Sequence, residues 1–180
     1  MRGQGASMEK KGRIIIHTGA GKGKTTAALG TVFRALGHGH KVCVIQFIKG
    51  QGNYGERLLA EKMDNLDWHI CGKGFVFNKE QIDEDKKVAE EGFALAAEII
   101  ASNRYDLVVL DELTYLPNLG FLPVEKIVET LEAKPNRLSV IITGRDAPAE
   151  LVELADTVSE IAVVKHAYQQ GIKAQKGVEF

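Results

Sequence analysis

The sequence is poor in cysteine and has no excess of charge of either sign. Its two cysteines, Cys43 and Cys71, are far apart and form no CxxC pair, which argues against a disulfide framework or a zinc site and favours a reducing cytoplasm. The 23 basic and 24 acidic residues nearly balance, which argues against a nucleic-acid or membrane partner held mainly by charge. No apolar run approaches the ~20 residues that a membrane-spanning helix needs.

The N-terminal segment differs in composition from the rest of the chain. Residues 1–12 are polar and rich in glycine, without the apolar stretch of a signal peptide, and we expect them to form a disordered leader. Residues 13–180 are expected to form one domain, because this length is ordinary for a single domain. A hydrophobic content of 44% and a charged content of 26% are typical of a globular protein with a real core.

Apolar runs alternate with helical patterns along most of the chain. The sequence predicts strands at 13–18, 41–47, 68–71, 105–110, 138–142 and 158–164, and helices at 24–36, 54–63, 83–102, 124–131 and 148–154. Several strands are almost wholly apolar, as buried parallel strands are. We therefore predict a three-layer α/β domain with a mainly parallel sheet flanked by helices.

A glycine-rich segment, Thr18-Gly-Ala-Gly-Lys-Gly-Lys-Thr-Thr26, joins the first predicted strand to the first predicted helix. Glycines let backbone N–H groups turn inward around an anion, and the helix adds its positive N-terminus. Lys24 then reaches a phosphate, and the Thr25 hydroxyl can ligate Mg²⁺. The segment predicts a P-loop in a P-loop NTPase-like domain, and a glycine-rich turn without a ligand is the much weaker alternative.

The spacing of this loop departs from the usual pattern. A standard P-loop has a glycine five residues before the glycine of Gly-Lys-Thr, and Thr18 stands at that position. The first glycine is Gly19, so the loop is one residue short. A shorter loop need not hold a β-phosphate as ordinary NTPases do.

Two acids, Asp111 and Glu112, follow a buried predicted strand. Ligands of open α/β sheets bind at the carboxyl ends of the strands. A carboxylate at that place can complete a Mg²⁺ shell directly or through water. The alternative is a pair of solvated acids at a strand end, and the nearby P-loop favours the metal role.

Further segments carry a family resemblance. They are Gln46-Phe-Ile-Lys-Gly50, Asp111-Glu-Leu-Thr-Tyr115, Thr143-Gly-Arg145 and Val164-Lys-His-Ala-Tyr168. With the short P-loop, and in this order, they resemble the ATP:corrinoid adenosyltransferases of the CobA/BtuR type from about Arg13 to Phe180. The resemblance implies transfer of the 5′-deoxyadenosyl group of ATP to the cobalt of a reduced corrinoid, either cob(I)alamin or a precursor, with release of triphosphate. It also implies that the nucleotide lies reversed relative to ordinary P-loop NTPases.

The resemblance implies roles for particular residues. Lys24, Thr25 and Glu112 are the implied catalytic residues, and no general base is required because cob(I) is itself the nucleophile. The implied metal is Mg²⁺, with Mn²⁺ as an alternative, held by Thr25 and Glu112, with Asp111 as a weaker candidate. The implied ATP-binding residues are Gly19, Ala20, Gly21, Lys22, Gly23, Lys24, Thr25, Thr26 and Arg145.

The segment Gly74-Phe-Val-Phe77 falls where family members carry an aromatic pair. That pair displaces the lower axial ligand of the corrinoid, so Phe75 and Phe77 are implied to face its lower side. The alternative is that both are core phenylalanines, the commoner fate of this residue type. The resemblance also implies a homodimer and a reduced flavoprotein as electron donor.

Three other functions compete with this interpretation. The nearest is a P-loop ATPase or kinase that cleaves the γ-phosphate, in which Glu112 would place the attacking water or hydroxyl. It would yield ADP and phosphate instead of triphosphate. A non-catalytic corrinoid or nucleotide carrier would bind its ligands without turnover. A nucleic-acid motor is the least supported, given the charge balance.

Overall fold

The sheet is entirely parallel across its paired strands. The computed structural model describes residues 11–50, 52, 54–74 and 82–180. Within them, six strands pair in the order β3-β2-β4-β5-β1-β6, and every pair is parallel. The strands are β1 (Ile14–Thr18), β2 (Val42–Gln46), β3 (Leu66–Ile70), β4 (Leu107–Asp111), β5 (Ser139–Thr143) and β6 (Thr157–Glu160).

Helices connect these strands. They are α1 (Lys24–Gly37), α2 (Gly55–Ala60), α3 (Ile82–Ala101), α4 (Tyr115–Asn118), α5 (Val124–Glu132) and α6 (Ala149–Leu154), followed by a 3-10 turn at Ala167–Gln170. The predicted helices are confirmed to within a few residues, whereas the short α4 and the 3-10 turn were not predicted. Among the described residues, none of the helices combines the length and apolarity needed to span a bilayer.

Buried side chains form two clusters, one on each face of the sheet. Val44 of β2 shares one cluster with Val32 of α1. Ile45, the next residue of β2, belongs to the other cluster together with Phe93 of α3. Successive residues of a strand point to opposite faces, so a strand buried on both sides must be apolar throughout. This arrangement confirms the predicted three-layer α/β fold.

The last strand is shorter than the sequence predicts. The prediction of strand structure over 161–164 is wrong, because β6 ends at Glu160. The Ile161 N–H still donates to the carbonyl of Thr18, but the Ile161 carbonyl accepts from the Gly21 N–H at 2.7 Å. The backbone therefore leaves the sheet to follow the P-loop, and local hydrophobicity does not record that change of partner.

The strand order brings together the carboxyl ends of three strands, each of which ends in a polar residue. β1 leads into the P-loop and lies beside β5, which in turn lies beside β4. The chain passes from β1 to β2 across β4 and β5, so the strand order reverses at this point. Ligands of open α/β sheets bind in the crevice at such a reversal. Thr18, Asp111 and Thr143 end the three strands there.

Candidate functional site

The P-loop wraps around the ammonium group of Lys24. The Lys24 Nζ donates hydrogen bonds to the carbonyl oxygens of Gly19 at 2.7 Å and of Gly21 at 2.6 Å. Gly23, immediately before α1, has φ 118°, a conformation that favours glycine. Burial lowers the pKa of Lys24, the positive charge of Arg145 lowers it further, and the Glu112 carboxylate opposes both effects. The loop thus holds a cation at its centre.

The chain that follows β6 packs directly behind this loop. A Cβ atom at Gly21 would lie 2.6 Å from the carbonyl oxygens of both Ile161 and Ala162. Real Cβ atoms do not approach backbone oxygens this closely, so only glycine fits at position 21.

Asp111 is a fully buried carboxylate surrounded by donors. Its Oδ1 accepts from the Thr25 hydroxyl at 2.9 Å and from the Thr143 hydroxyl at 2.6 Å. Its Oδ2 accepts from Gln46 Nε2 at 2.9 Å and lies 3.6 Å from the Lys49 Nζ. Because the Thr25 hydroxyl donates its hydrogen bond to Asp111, its oxygen lone pairs remain available to a cation.

Glu112 presents an acceptor that has no donor. Its Oε2 is buried without a hydrogen-bond partner, and its backbone has φ 64°, a left-handed conformation uncommon outside glycine. Burial raises the pKa of Glu112 to about 7, and the nearby negative charge of Asp111 acts in the same direction. Strained backbone and unsatisfied buried groups concentrate at functional sites. The carboxylate is suited to a cation.

A cavity of about 550 Å³ opens over the P-loop. Its lining includes the predicted ATP-binding residues 20–26 and Arg145, and also the predicted metal ligand Glu112. Gly19 provides a carbonyl to Lys24, and Asp111 lies beneath Thr25. Phe75 and Phe77, predicted to face a corrinoid, lie outside the described residues.

Some lining residues were not among the predicted site residues. They include Lys49, Glu56, Tyr115 and the C-terminal residues Val178 and Glu179. Lys49 follows β2, and its place at a strand end beside the P-loop favours contact with a nucleotide on sequence grounds alone. Glu179 forms an ion pair of 2.5 Å with Lys22 of the P-loop. No pattern in the sequence signals that this distant tail returns to the loop.

Two side chains from the segment after β4 hold the backbone of Arg145 in place by donating hydrogen bonds to its carbonyl oxygen. That carbonyl accepts from the Thr114 hydroxyl at 2.6 Å and from Asn118 Nδ2 at 3.1 Å. The preceding residue, Gly144, has φ 145°, and a Cβ there would lie 2.0 Å from the Thr114 Oγ1. The turn after β5 therefore requires glycine next to the arginine.

Replacing Gly144 with alanine is expected to lower the free energy of unfolding by about 3 kcal/mol, because strain and overpacking act together. Denaturant titration measures the loss. Gly120→Ala is the matched control: its φ of 71° is also left-handed, but a Cβ there meets nothing within 4 Å. Its cost should be about 1 kcal/mol. Equal losses in the two variants would contradict the packing argument.

The contribution of Glu112 to the stability of the metal-free protein is expected to fall as pH rises. The pKa of Glu112 goes from 4.5 to about 7 on folding, so the folded chain holds this proton more tightly than the unfolded chain. The resulting stabilisation is complete below 4.5 and is lost as pH rises through about 7. Thermal melts in chelator, compared with Glu112→Gln, measure this contribution. If the difference in stability between the wild type and Glu112→Gln stays the same from pH 4.5 to about 7, Glu112 does not have a raised pKa in the folded protein.

A glycine-rich loop between a parallel strand and a helix, backed by a strand-end carboxylate, defines a P-loop nucleotide-binding protein. Solved structures agree on this fold. The KaiC-like protein PH0186 from Pyrococcus horikoshii OT3 aligns with TM-score 0.51 and 15% identity, over 87% of this chain and 75% of that one. The ATPase EscN of enteropathogenic E. coli aligns with TM-score 0.54 and 18% identity, over 89% of this chain and 45% of that one.

Sequence relatives identify the family within that class. The model of the family described as "ATP:corrinoid adenosyltransferase BtuR/CobO/CobP" matches residues 10–180. A corrinoid adenosyltransferase of Escherichia coli (strain K12) is 44% identical, over 97% of this chain and 88% of the relative. One of Pseudomonas aeruginosa is 42% identical, over 96% and 85%. The chain belongs to this family, which confirms the resemblance drawn from its motifs.

Proposed function

We propose that the cavity over the P-loop binds the triphosphate of ATP with Mg²⁺ and that the adenosyl group leaves from there. As a member of its family, the chain is an enzyme, an ATP:corrinoid adenosyltransferase. The cobalt of a cob(I) corrinoid supplies an electron pair to C5′, the C5′–O bond breaks, and its electrons leave with triphosphate. The observation that carries this assignment is the Thr25–Asp111 hydrogen bond next to Glu112, whose Oε2 is buried without a partner.

Thr25 and Glu112 are the residues that we propose to hold the metal. The oxygens they offer suit Mg²⁺, and Mn²⁺ accepts the same donors. Asp111 is proposed to orient Thr25 from behind, because both of its oxygens already accept hydrogen bonds. No group of three His, Cys, Asp or Glu side chains in the described part of the chain can hold a metal alone. Phosphate oxygens and water would complete the shell, and bound Mg²⁺ would neutralise charge on the triphosphate.

Cationic side chains around the cavity are proposed to stabilise the leaving triphosphate. Lys24, Lys49 and Arg145 all line it. Lys24 uses two of its three N–H donors on loop carbonyls, so one donor remains for a phosphate oxygen. Such donors are fixed before the reaction begins and need no reorganisation as negative charge develops.

Family membership supports four further proposals, on the corrinoid contact, the extent of the domain, the assembly and the electron donor. Phe75 and Phe77 are proposed to pack against the lower face of the corrinoid, and residues 13–180 to form the catalytic domain. We propose that the enzyme is a cytoplasmic homodimer that receives its electron from a reduced flavoprotein. The corrinoid is cob(I)alamin or a precursor.

An anaerobic assay with ATP, Mg²⁺ and chemically reduced cob(I)alamin tests this function. The expected result is a light-sensitive alkylcobalamin spectrum together with one triphosphate for each corrinoid converted. Unchanged cobalamin with production of ADP and phosphate would instead support γ-phosphate cleavage by a P-loop ATPase or kinase. Binding of both ligands without either product would support a carrier.

A further inference from the structure

Trp68 lies on the edge strand β3, away from the P-loop cavity. It is the only tryptophan of the chain. Trp68 pairs with Val44 of β2 and packs against the cluster on the α1 face of the sheet. Its indole Nε1 donates to the side-chain oxygen of Gln46 at 3.1 Å. Trp68 is absent from the described residues that line the 550 Å³ cavity, so any effect on the site must pass through other residues.

Gln46 links Trp68 to the buried carboxylate of Asp111. Its side chain is 1% exposed, and its Nε2 donates to Asp111 Oδ2 at 2.9 Å. The indole N–H is only a donor and the carboxylate only an acceptor, so together they allow one orientation of the amide. Loss of the indole N–H would leave the amide oxygen buried without its donor, which is costly.

The other oxygen of Asp111 faces the P-loop. Oδ1 accepts the Thr25 hydroxyl at 2.9 Å, and this bond determines where the Thr25 lone pairs point. A rotation of the Asp111 carboxylate that followed Gln46 would move Oδ1 as well, because both oxygens belong to one planar group. Trp68, Gln46, Asp111 and Thr25 therefore form a continuous chain of hydrogen bonds from the edge strand to the cavity.

We propose that Trp68 is a positioning residue for the metal and triphosphate site. Through Gln46 it fixes the Asp111 carboxylate, and through Asp111 it directs the Thr25 oxygen at the cation. This inference rests on the metal-binding role given to Thr25 under the proposed function. It adds a residue that touches neither nucleotide nor corrinoid.

The variant Trp68→Phe tests the proposal, because it keeps an aromatic ring and removes the N–H. Calorimetric titration with ATP, in the presence and in the absence of Mg²⁺, measures binding without turnover. We expect binding in the presence of Mg²⁺ to weaken about three- to tenfold, and binding without metal to change by less than about twofold. Equal weakening in both titrations would indicate a packing role and overturn the proposal, as would no weakening in either.

A double-mutant cycle tests whether the effect passes through Gln46. In a Gln46→Leu background, the link to Asp111 is already broken, so Trp68→Phe should weaken Mg²⁺-dependent binding by less than about twofold more. A full additional loss in that background would overturn the proposal. Thermal melts of each variant establish that the compared proteins are folded.

Calorimetry distinguishes a failure of the proposed metal site from a failure of the positioning role of Trp68. Metal-independent ATP binding by the wild type would overturn the metal assignment together with this proposal, whereas metal-dependent binding that Trp68→Phe leaves intact would overturn this proposal alone.

Discussion

Replacing Lys24 with alanine is expected to lower kcat for adenosyl transfer by about 10²–10³-fold. The Lys24 ammonium lies at the centre of the loop, fixed by the carbonyls of Gly19 and Gly21. In the proposed site, the variant removes a cation from the place where negative charge develops on the leaving triphosphate. It also leaves two loop carbonyls without their donor. Initial rates in the anaerobic alkylcobalamin assay measure the effect.

Lys22→Ala is the comparison for Lys24→Ala, because it removes the same charge from the same loop. The Lys22 side chain is 44% exposed and pairs with Glu179, so its charge is already screened and partly neutralised. We expect its kcat to fall by less than about tenfold. Similar losses in the two variants would indicate that net charge, and not the position of Lys24, supports catalysis.

Much of the site could be predicted because its signals are local in the sequence. Gly-Lys-Thr after an apolar strand marks the P-loop, and Asp111-Glu112 marks the end of another apolar strand. Parallel strands bring their carboxyl ends to one edge, so the proximity of Thr25 and Asp111 follows from topology alone. The structure adds the distance of 2.9 Å between the Thr25 hydroxyl and Asp111 Oδ1. It also shows that both Asp111 oxygens accept hydrogen bonds, whereas the buried Glu112 Oε2 has no partner.

Contacts between distant segments left no comparable signal. The packing of the chain after β6 against Gly21 depends on backbone atoms, whose positions no side-chain pattern records. The Trp68–Gln46 bond depends on the register of β3 against β2, which sequence periodicity does not determine. The return of Glu179 to Lys22 spans 157 residues. These contacts can be identified only in the folded structure.

Replacing Glu112 with glutamine is expected to change stability and activity in opposite directions. Glutamine removes a carboxylate whose buried Oε2 has no hydrogen-bond partner and which the negative charge of Asp111 repels. The free energy of unfolding of the metal-free protein at about pH 8 should therefore rise by about 1 kcal/mol. Adenosyl transfer should fall about 100-fold at low Mg²⁺ and recover in part at high Mg²⁺, since the amide is a weaker metal ligand than the carboxylate. Denaturant titration and initial rates measure the two effects.

Asp111→Asn gives the contrast that makes the Glu112→Gln prediction specific. Asp111 accepts from Thr25, Thr143 and Gln46, so an amide nitrogen in place of one oxygen would either face the Gln46 donor or reverse the hydrogen bonds with the two hydroxyls. Both stability and activity should fall, with about 2 kcal/mol lost on unfolding because a buried network is broken. If Glu112→Gln instead destabilised the metal-free protein as Asp111→Asn does, Glu112 would be a structural acid and the metal would need another ligand.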